Sequence, residues 1–150
     1  MAQPLEKLEF LIGKWSGKAE GFGDEGELSM IASFAYEPGE NVISGFRESR
    51  HGKELENRIL MMFLHDRNSK RLIRKDIYSY GFVVNQIGDV ENGRFIFNCV
   101  NMDSEPDYFK NVKFRTFIEK ISEKRIVLGI EVAKQGEDYR LYGQQKLTKQ

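Results

Sequence analysis

From Lys14 onward the chain alternates apolar or small residues with polar ones, and short clusters of Gly, Asn, Asp, Pro and Ser interrupt the alternation. A period of two punctuated by turn residues describes half-buried strands in succession. At the start, Trp15, Gly17, Ala19 and Gly21 share one face, and Lys14, Ser16, Lys18 and Glu20 the other. One indole followed by three small residues suits a strand entering a curved, closed sheet, with Trp15 plugging one end.

Ahead of this, Leu5, Leu8, Leu11 and Ile12 fall at helical spacing behind Pro4, and Gly13 ends the run. The spacing predicts a short helix over residues 4–12 that caps the mouth of the sheet. Strands are then predicted over 14–21, 27–36, 41–50, 55–65, 70–80, 82–90, 94–100, 108–121, 125–133 and 139–147. Turns fall at Gly23–Gly26, Glu37–Glu40, His51–Lys53, Asp66–Ser69, Gly81, Glu91–Gly93, Ser122–Lys124 and Gln135–Asp138, with a polar loop over 101–107. Asn92-Gly93 carries strong hairpin chemistry, because both residues tolerate the positive φ that tight hairpin turns demand. The three prolines (4, 38 and 106) occupy the helix start, a turn and the loop, where no ladder hydrogen bond is lost.

About ten strands with short connections make an antiparallel meander, and closing it removes the two long edges that would invite aggregation. The expectation is all-β: a single ten-stranded antiparallel up-and-down β-barrel with a short N-terminal capping helix, one domain over residues 1–150.

The charge balance adds exclusions. Lys plus Arg and Asp plus Glu both number 23, so no net positive field argues for nucleic acid. No apolar run approaches the roughly 20 residues of a membrane-spanning helix, and the N-terminus shows no signal-peptide core. A soluble, cytoplasmic protein is expected. Cys99, in phase with Phe95 and Phe97, reads as a buried, inert thiol. His51 and His65 have no partners at metal-ligand spacing, so no protein-built metal site is expected. There is no nucleophile elbow and no phosphate loop. Carboxylates such as Glu48 or Asp76 inside the barrel would be the acid–base candidates, although no catalytic pattern surrounds them.

Eleven Phe, six Tyr and one Trp point to an apolar lumen or to a packed core, since aromatics favour strands in either case. For a ligand, Trp15, Phe34, Tyr36, Phe46 and Tyr78 would line the interior. Arg74 and Arg115 would meet an anionic head group, and Tyr142 lies in phase with Arg140 and Gln144. A guanidinium taken out of water needs a carboxylate, an aromatic face or an anionic ligand.

The opening helix followed by Ile12-Gly13-Lys14-Trp15-Ser16-Gly17-Lys18-Ala19-Glu20-Gly21 resembles the start of the nitrobindin-like proteins, ten-stranded barrels related to fatty-acid-binding proteins. A helix followed by Gly-x-Trp is also similar to lipocalins. The resemblance implies that Trp15 closes one end by packing on a cation from a late strand, for which Arg140 is the candidate. It further implies haem, held in the haem-binding members by a histidine near the C-terminus. Here that segment, Tyr139 to Leu147, contains no histidine, and Tyr142 lies nearest.

The leading expectation is an intracellular binding protein for an apolar or amphipathic, fatty-acid-like small molecule. The alternatives are a haem-binding protein, a barrel isomerase or hydrolase, and an interaction module. In the last, the second half of strand 55–65, apolar on both faces, would pair two copies into a homodimer.

Overall fold

A computed structural model describes residues 4–21, 28–103 and 110–150. The predicted turn at Gly23–Gly26, the second half of the predicted loop with Pro106, and the first two residues of the predicted strand 108–121 lie outside these residues. Ten antiparallel strands close into a barrel in chain order, as the meander implied. They are β1 Gly13–Gly21, β2 Leu28–Tyr36, β3 Val42–His51, β4 Glu54–His65, β5 Leu72–Tyr78, β6 Val83–Glu91, β7 Arg94–Asp103, β8 Val112–Ser122, β9 Arg125–Lys134 and β10 Arg140–Lys149. β1 pairs with β10 from Trp15↔Lys149 to Gly21↔Gly143, which closes the sheet. At this seam a Cβ on Gly17 would stand 1.9 Å from the Lys146 carbonyl oxygen, so only glycine allows the two backbones to approach. Asn92 and Gly93 take φ of 51° and 76° in the β6–β7 hairpin, as their chemistry requires.

The expected short leading helix is present, as a 3-10 helix over Pro4–Leu11. Leu5, Leu8 and Leu11 recur every third residue and are all buried, matching three residues per turn, and Ile12 lies beyond it. The loop expected from residue 101 begins later. Asn101, Met102 and Asp103 still pair with Asn85, Val84 and Val83, past a bulge at Asn85/Gln86 that re-phases β7.

The 3-10 helix closes the barrel end that carries the β2–β3, β4–β5, β6–β7 and β8–β9 turns. Its three leucines join Trp15, Phe34, Ile43, Phe63, Leu72, Phe97, Ile118, Ile126 and Leu147 in a continuous apolar core. The Trp15 indole Nε1 donates to the Leu11 carbonyl at 2.8 Å and so ties the helix end to the first strand. Lys149, not Arg140, supplies the cation: its Nζ lies 5.4 Å from the centre of the Trp15 ring. Register explains the difference, because Lys149 pairs with Trp15 whereas Arg140 begins β10 at the opposite end. Leu60, Met62 and Leu64 face outward from β4 and are half-buried or exposed.

Candidate functional site

The barrel is packed at the helix end and hollow at the other. A cavity of about 480 Å³ opens among the β3–β4, β5–β6 and β9–β10 turns. Ligand sites typically occupy roughly 300–1,000 Å³. Met30, Ile59, Ile130 and Val132 form its apolar wall, Arg47, Tyr78 and Gln145 its buried floor, and Glu56, Tyr80, Lys134, Arg140 and Tyr142 its rim.

Arg47 comes from β3, where Ile43, Gly45, Arg47 and Ser49 share the inward face. It is 3% exposed. One guanidinium nitrogen donates to the Gln145 Oε1, and the Nε has no partner. Burial pushes the Arg47 pKa below its ordinary value. Hydrogen bonding and attraction from Tyr78 and the charge of Asp76 oppose the shift, while the like charge of Arg74 adds to it.

Beneath the floor lies a second polar group, enclosed in the core. Arg74 donates through Nε to the Asp76 Oδ1 at 2.9 Å, and its Nη2 lies 2.9 Å from Oδ2. The Gln86 Nε2 donates to Asp76 Oδ2 at 3.1 Å, and the Thr116 hydroxyl donates to the Gln86 Oε1 at 2.5 Å. The rings of Phe63 and Phe97 each lie 5.6 Å from the Arg74 guanidinium carbon. Asp76 is thus fully engaged by Arg74 and Gln86. Among the described residues, the interior carries two guanidinium groups, Arg47 and Arg74, against the single carboxylate of Asp76. The hollow half holds a net positive charge at its floor.

The residues expected to form the site fall into three groups. Tyr78 is on the cavity floor, stacked on Phe82 at 4.2 Å, and Tyr142 is on the rim, 40% exposed. Arg74, Trp15, Phe34 and Tyr36 lie at or toward the packed end and do not line the cavity. Burial, and then Glu9, Glu6 and Glu40, raise the Tyr36 pKa beside the helix.

Phe46 and Arg115 point out of the barrel, a correction to their expected phase. Phe46 packs under the Arg58 guanidinium at 4.4 Å. Arg115 donates to Glu131 at 2.8 Å and stacks on Tyr139 at 3.9 Å. Both strands put the opposite set inside: Arg47 in β3, and Phe114, Thr116 and Ile118 in β8. Glu48 is likewise on the outer face, where Arg58 at 2.8 Å and Arg50 at 3.4 Å cover it. Cys99 is half-buried against the core, with its sulfur 3.6 Å from the Asn101 carbonyl oxygen.

Sequence reasoning missed Arg47, Gln145 and Lys134. A charge that shares its face with Gly45 and Ser49 reads as an outer face, although the phase of Ile43 carried the signal. On β10 alternation puts Arg140 and Tyr142 on one face, and both line the cavity; the bulge between Leu141 and Gly143 then shifts the phase, so Gln145 faces in and Gln144 faces out to Glu20. Strict alternation would have put Gln144 inside.

No protein-family profile matches the chain, and neither does any curated protein. Solved structures do match. Rv2717c from M. tuberculosis superposes with a TM-score of 0.70 at 13% identity, covering 100% of this chain and 99% of that one. The S-type phycobiliprotein lyase CPES from Guillardia theta gives a TM-score of 0.57 at 11% identity, covering 97% of this chain and 91% of that one. The chain shares the fold of these proteins, a closed lipocalin-like barrel of ten strands. Among the described residues, no helix is long and apolar enough to cross a membrane, and no cluster of three His, Cys, Asp or Glu is placed to hold a metal.

Proposed function

We propose that the protein binds an amphipathic small molecule with an acidic head group, inserted head-first into the open half of the barrel. The observation that carries this reading is Arg47. It is a guanidinium on the floor of an apolar-walled cavity, its hydrogen-bond partners, the Gln145 amide and Tyr78, include no carboxylate, and its Nε has no partner. Taking a cation out of water is costly unless it is paired, and arginine stays protonated in proteins. A carboxylate arriving at the floor would supply the missing charge to the guanidinium that lines it. Met30, Ile59, Ile130 and Val132 would take the apolar body. Of the two arginines expected to meet such a head group, Arg74 is already committed to Asp76 and Arg115 to Glu131.

Displacement of anilinonaphthalene sulfonate, a dye that fluoresces in apolar cavities, tests the reading. Dodecanoic acid should displace it at lower concentration than dodecanol. Failure of the dye to bind, or equal displacement by acid and alcohol, would contradict it.

The haem reading rests on the resemblance. The cavity lining includes no histidine and no cysteine, and Tyr142, nearest the expected ligand position, lies at the rim, 40% exposed. The described lining does not fit a histidine-ligated haem. Hemin titration would test a tyrosinate-ligated one by the presence or absence of a Soret shift.

A further inference from the structure

The floor of the cavity has one uncompensated cation, and its rim has two more. Lys134 and Arg140 both line the mouth. Lys134 continues the inward series Ile130 and Val132 on β9, and Arg140 pairs with Val132 from β10, so the two cations converge on one side. Among the described residues, neither side chain makes an ion pair or hydrogen bond. One carboxylate, Glu56 from β4, also lines the mouth, with its oxygen 3.8 Å from His51. Among the described lining residues, the rim sets Lys134 and Arg140 against Glu56, a net positive charge like that of the floor, and the wall between them is apolar.

From this arrangement we infer that the ligand carries two acidic groups at opposite ends of an apolar body. One acid would meet Arg47 at the floor, and the other would meet Lys134 and Arg140 at the mouth. The inference rests on the head-first reading above and adds the chemistry of the second end. A simple amphiphile would leave its apolar tail among two cations and the Tyr80 and Tyr142 rings, where a second carboxylate gains more.

The span fits. Along β9, Leu128 stands level with Gln145 at the floor, and Lys134 follows six residues later. At 3.3 Å per residue that is about 20 Å of strand. Strands of a closed barrel tilt by about 35–45°, so the rise along the barrel axis is about 15 Å, the scale of a medium-length α,ω-dicarboxylate.

The test compares dodecanedioic acid with dodecanoic acid by isothermal titration, on the protein as it stands and on the double variant Lys134→Gln/Arg140→Gln. Both substituted positions are exposed at the rim, so folding is preserved, which a thermal melt checks. The diacid should bind roughly three- to tenfold tighter than the monoacid, the range expected of solvent-exposed ion pairs. In the double variant that advantage should vanish.

Equal binding of the two acids would overturn the two-headed ligand and leave the head-first reading standing. A diacid advantage that survives in the double variant would overturn the role of the rim cations. Failure of both acids to bind would overturn the head-first reading and the two-headed ligand with it.

Discussion

Arg47 on β3 and Gln145 on β10 meet across the barrel interior, 98 residues apart in sequence, with the guanidinium donating to the amide oxygen. Two buried side chains from strands that are not neighbours in the sheet thus fix the floor of the cavity. Gln145 orients the cation without neutralising it. A glutamate there would complete an ion pair and remove the demand that an acidic ligand satisfies.

Replacing Gln145 with leucine should therefore destabilise the empty protein by about 1–3 kcal/mol, the cost of leaving a buried polar donor without its acceptor. Urea denaturation of the ligand-free variant measures this. A change within error would mean that Arg47 finds another partner easily.

Asp76 offers a sharper contrast. Among the described residues it is the single carboxylate inside the barrel beside the two buried guanidiniums, and it accepts from Arg74 and Gln86. Asp76→Ala should cost about 3–5 kcal/mol, because breaking a buried pair abandons its other charge in the core. Equilibrium unfolding checks this, and a loss below about 1 kcal/mol, the scale of an exposed pair, would contradict it.

The seam between β1 and β10 predicts an effect of backbone approach alone. Gly17→Ala should destabilise by about 1–3 kcal/mol, since a Cβ there meets the Lys146 carbonyl and the strands must part. Hydrogen exchange should show faster opening of β1 and β10 amides in the variant. Unchanged exchange at the seam would count against this packing.

Asp66 predicts a pH dependence. Its carboxylate accepts from the Asn68 and Ser69 backbone N–H groups at 3.2 Å in the β4–β5 turn. Hydrogen bonds from Ser69, side chain first and then backbone, followed by that from Asn68, hold its pKa below the usual value. A lowered folded-state pKa means the stabilisation is present above the ordinary aspartate range, near about 3.9, and is lost as pH falls through the lower folded value. Wild type should exceed Asp66→Asn in thermal midpoint at neutral pH, and the gap should close on acidification. A gap constant with pH would refute the assignment.

The fold was legible because its rules are local and repeat ten times. Alternation gave the strands, Asn92-Gly93 and Asp66–Ser69 gave turns, and short connections forced the meander. The site was less legible because it depends on phase, and phase is lost at irregularities. The bulge at Leu141/Gly143 shifted the phase of β10, so that Gln145 and not Gln144 follows Arg140 and Tyr142 onto the cavity. On β3 the bulky Phe46 pointed to the wrong face, since Arg58 covers it outside while Gly45 and Arg47 turn inward. An arginine that faces a lumen is indistinguishable by type from one that faces water, and what marks Arg47 is the set of partners it lacks. The division into a packed half and a hollow half was also invisible, because aromatic residues fill one end as readily as they line the other.

The central claim is that Arg47 is held without a countercharge to receive an acid. The most direct measurement is the affinity of the protein for dodecanoic acid by isothermal titration, compared with its Arg47→Met variant. Methionine keeps most of the buried volume and removes the charge but leaves the buried Gln145 oxygen without its donor, so a thermal melt first checks that the empty variant is folded. The account predicts that the variant loses about 2 kcal/mol or more of binding free energy, roughly thirtyfold in affinity. Equal affinity in a folded variant would contradict it and move the acid group away from the floor of the barrel.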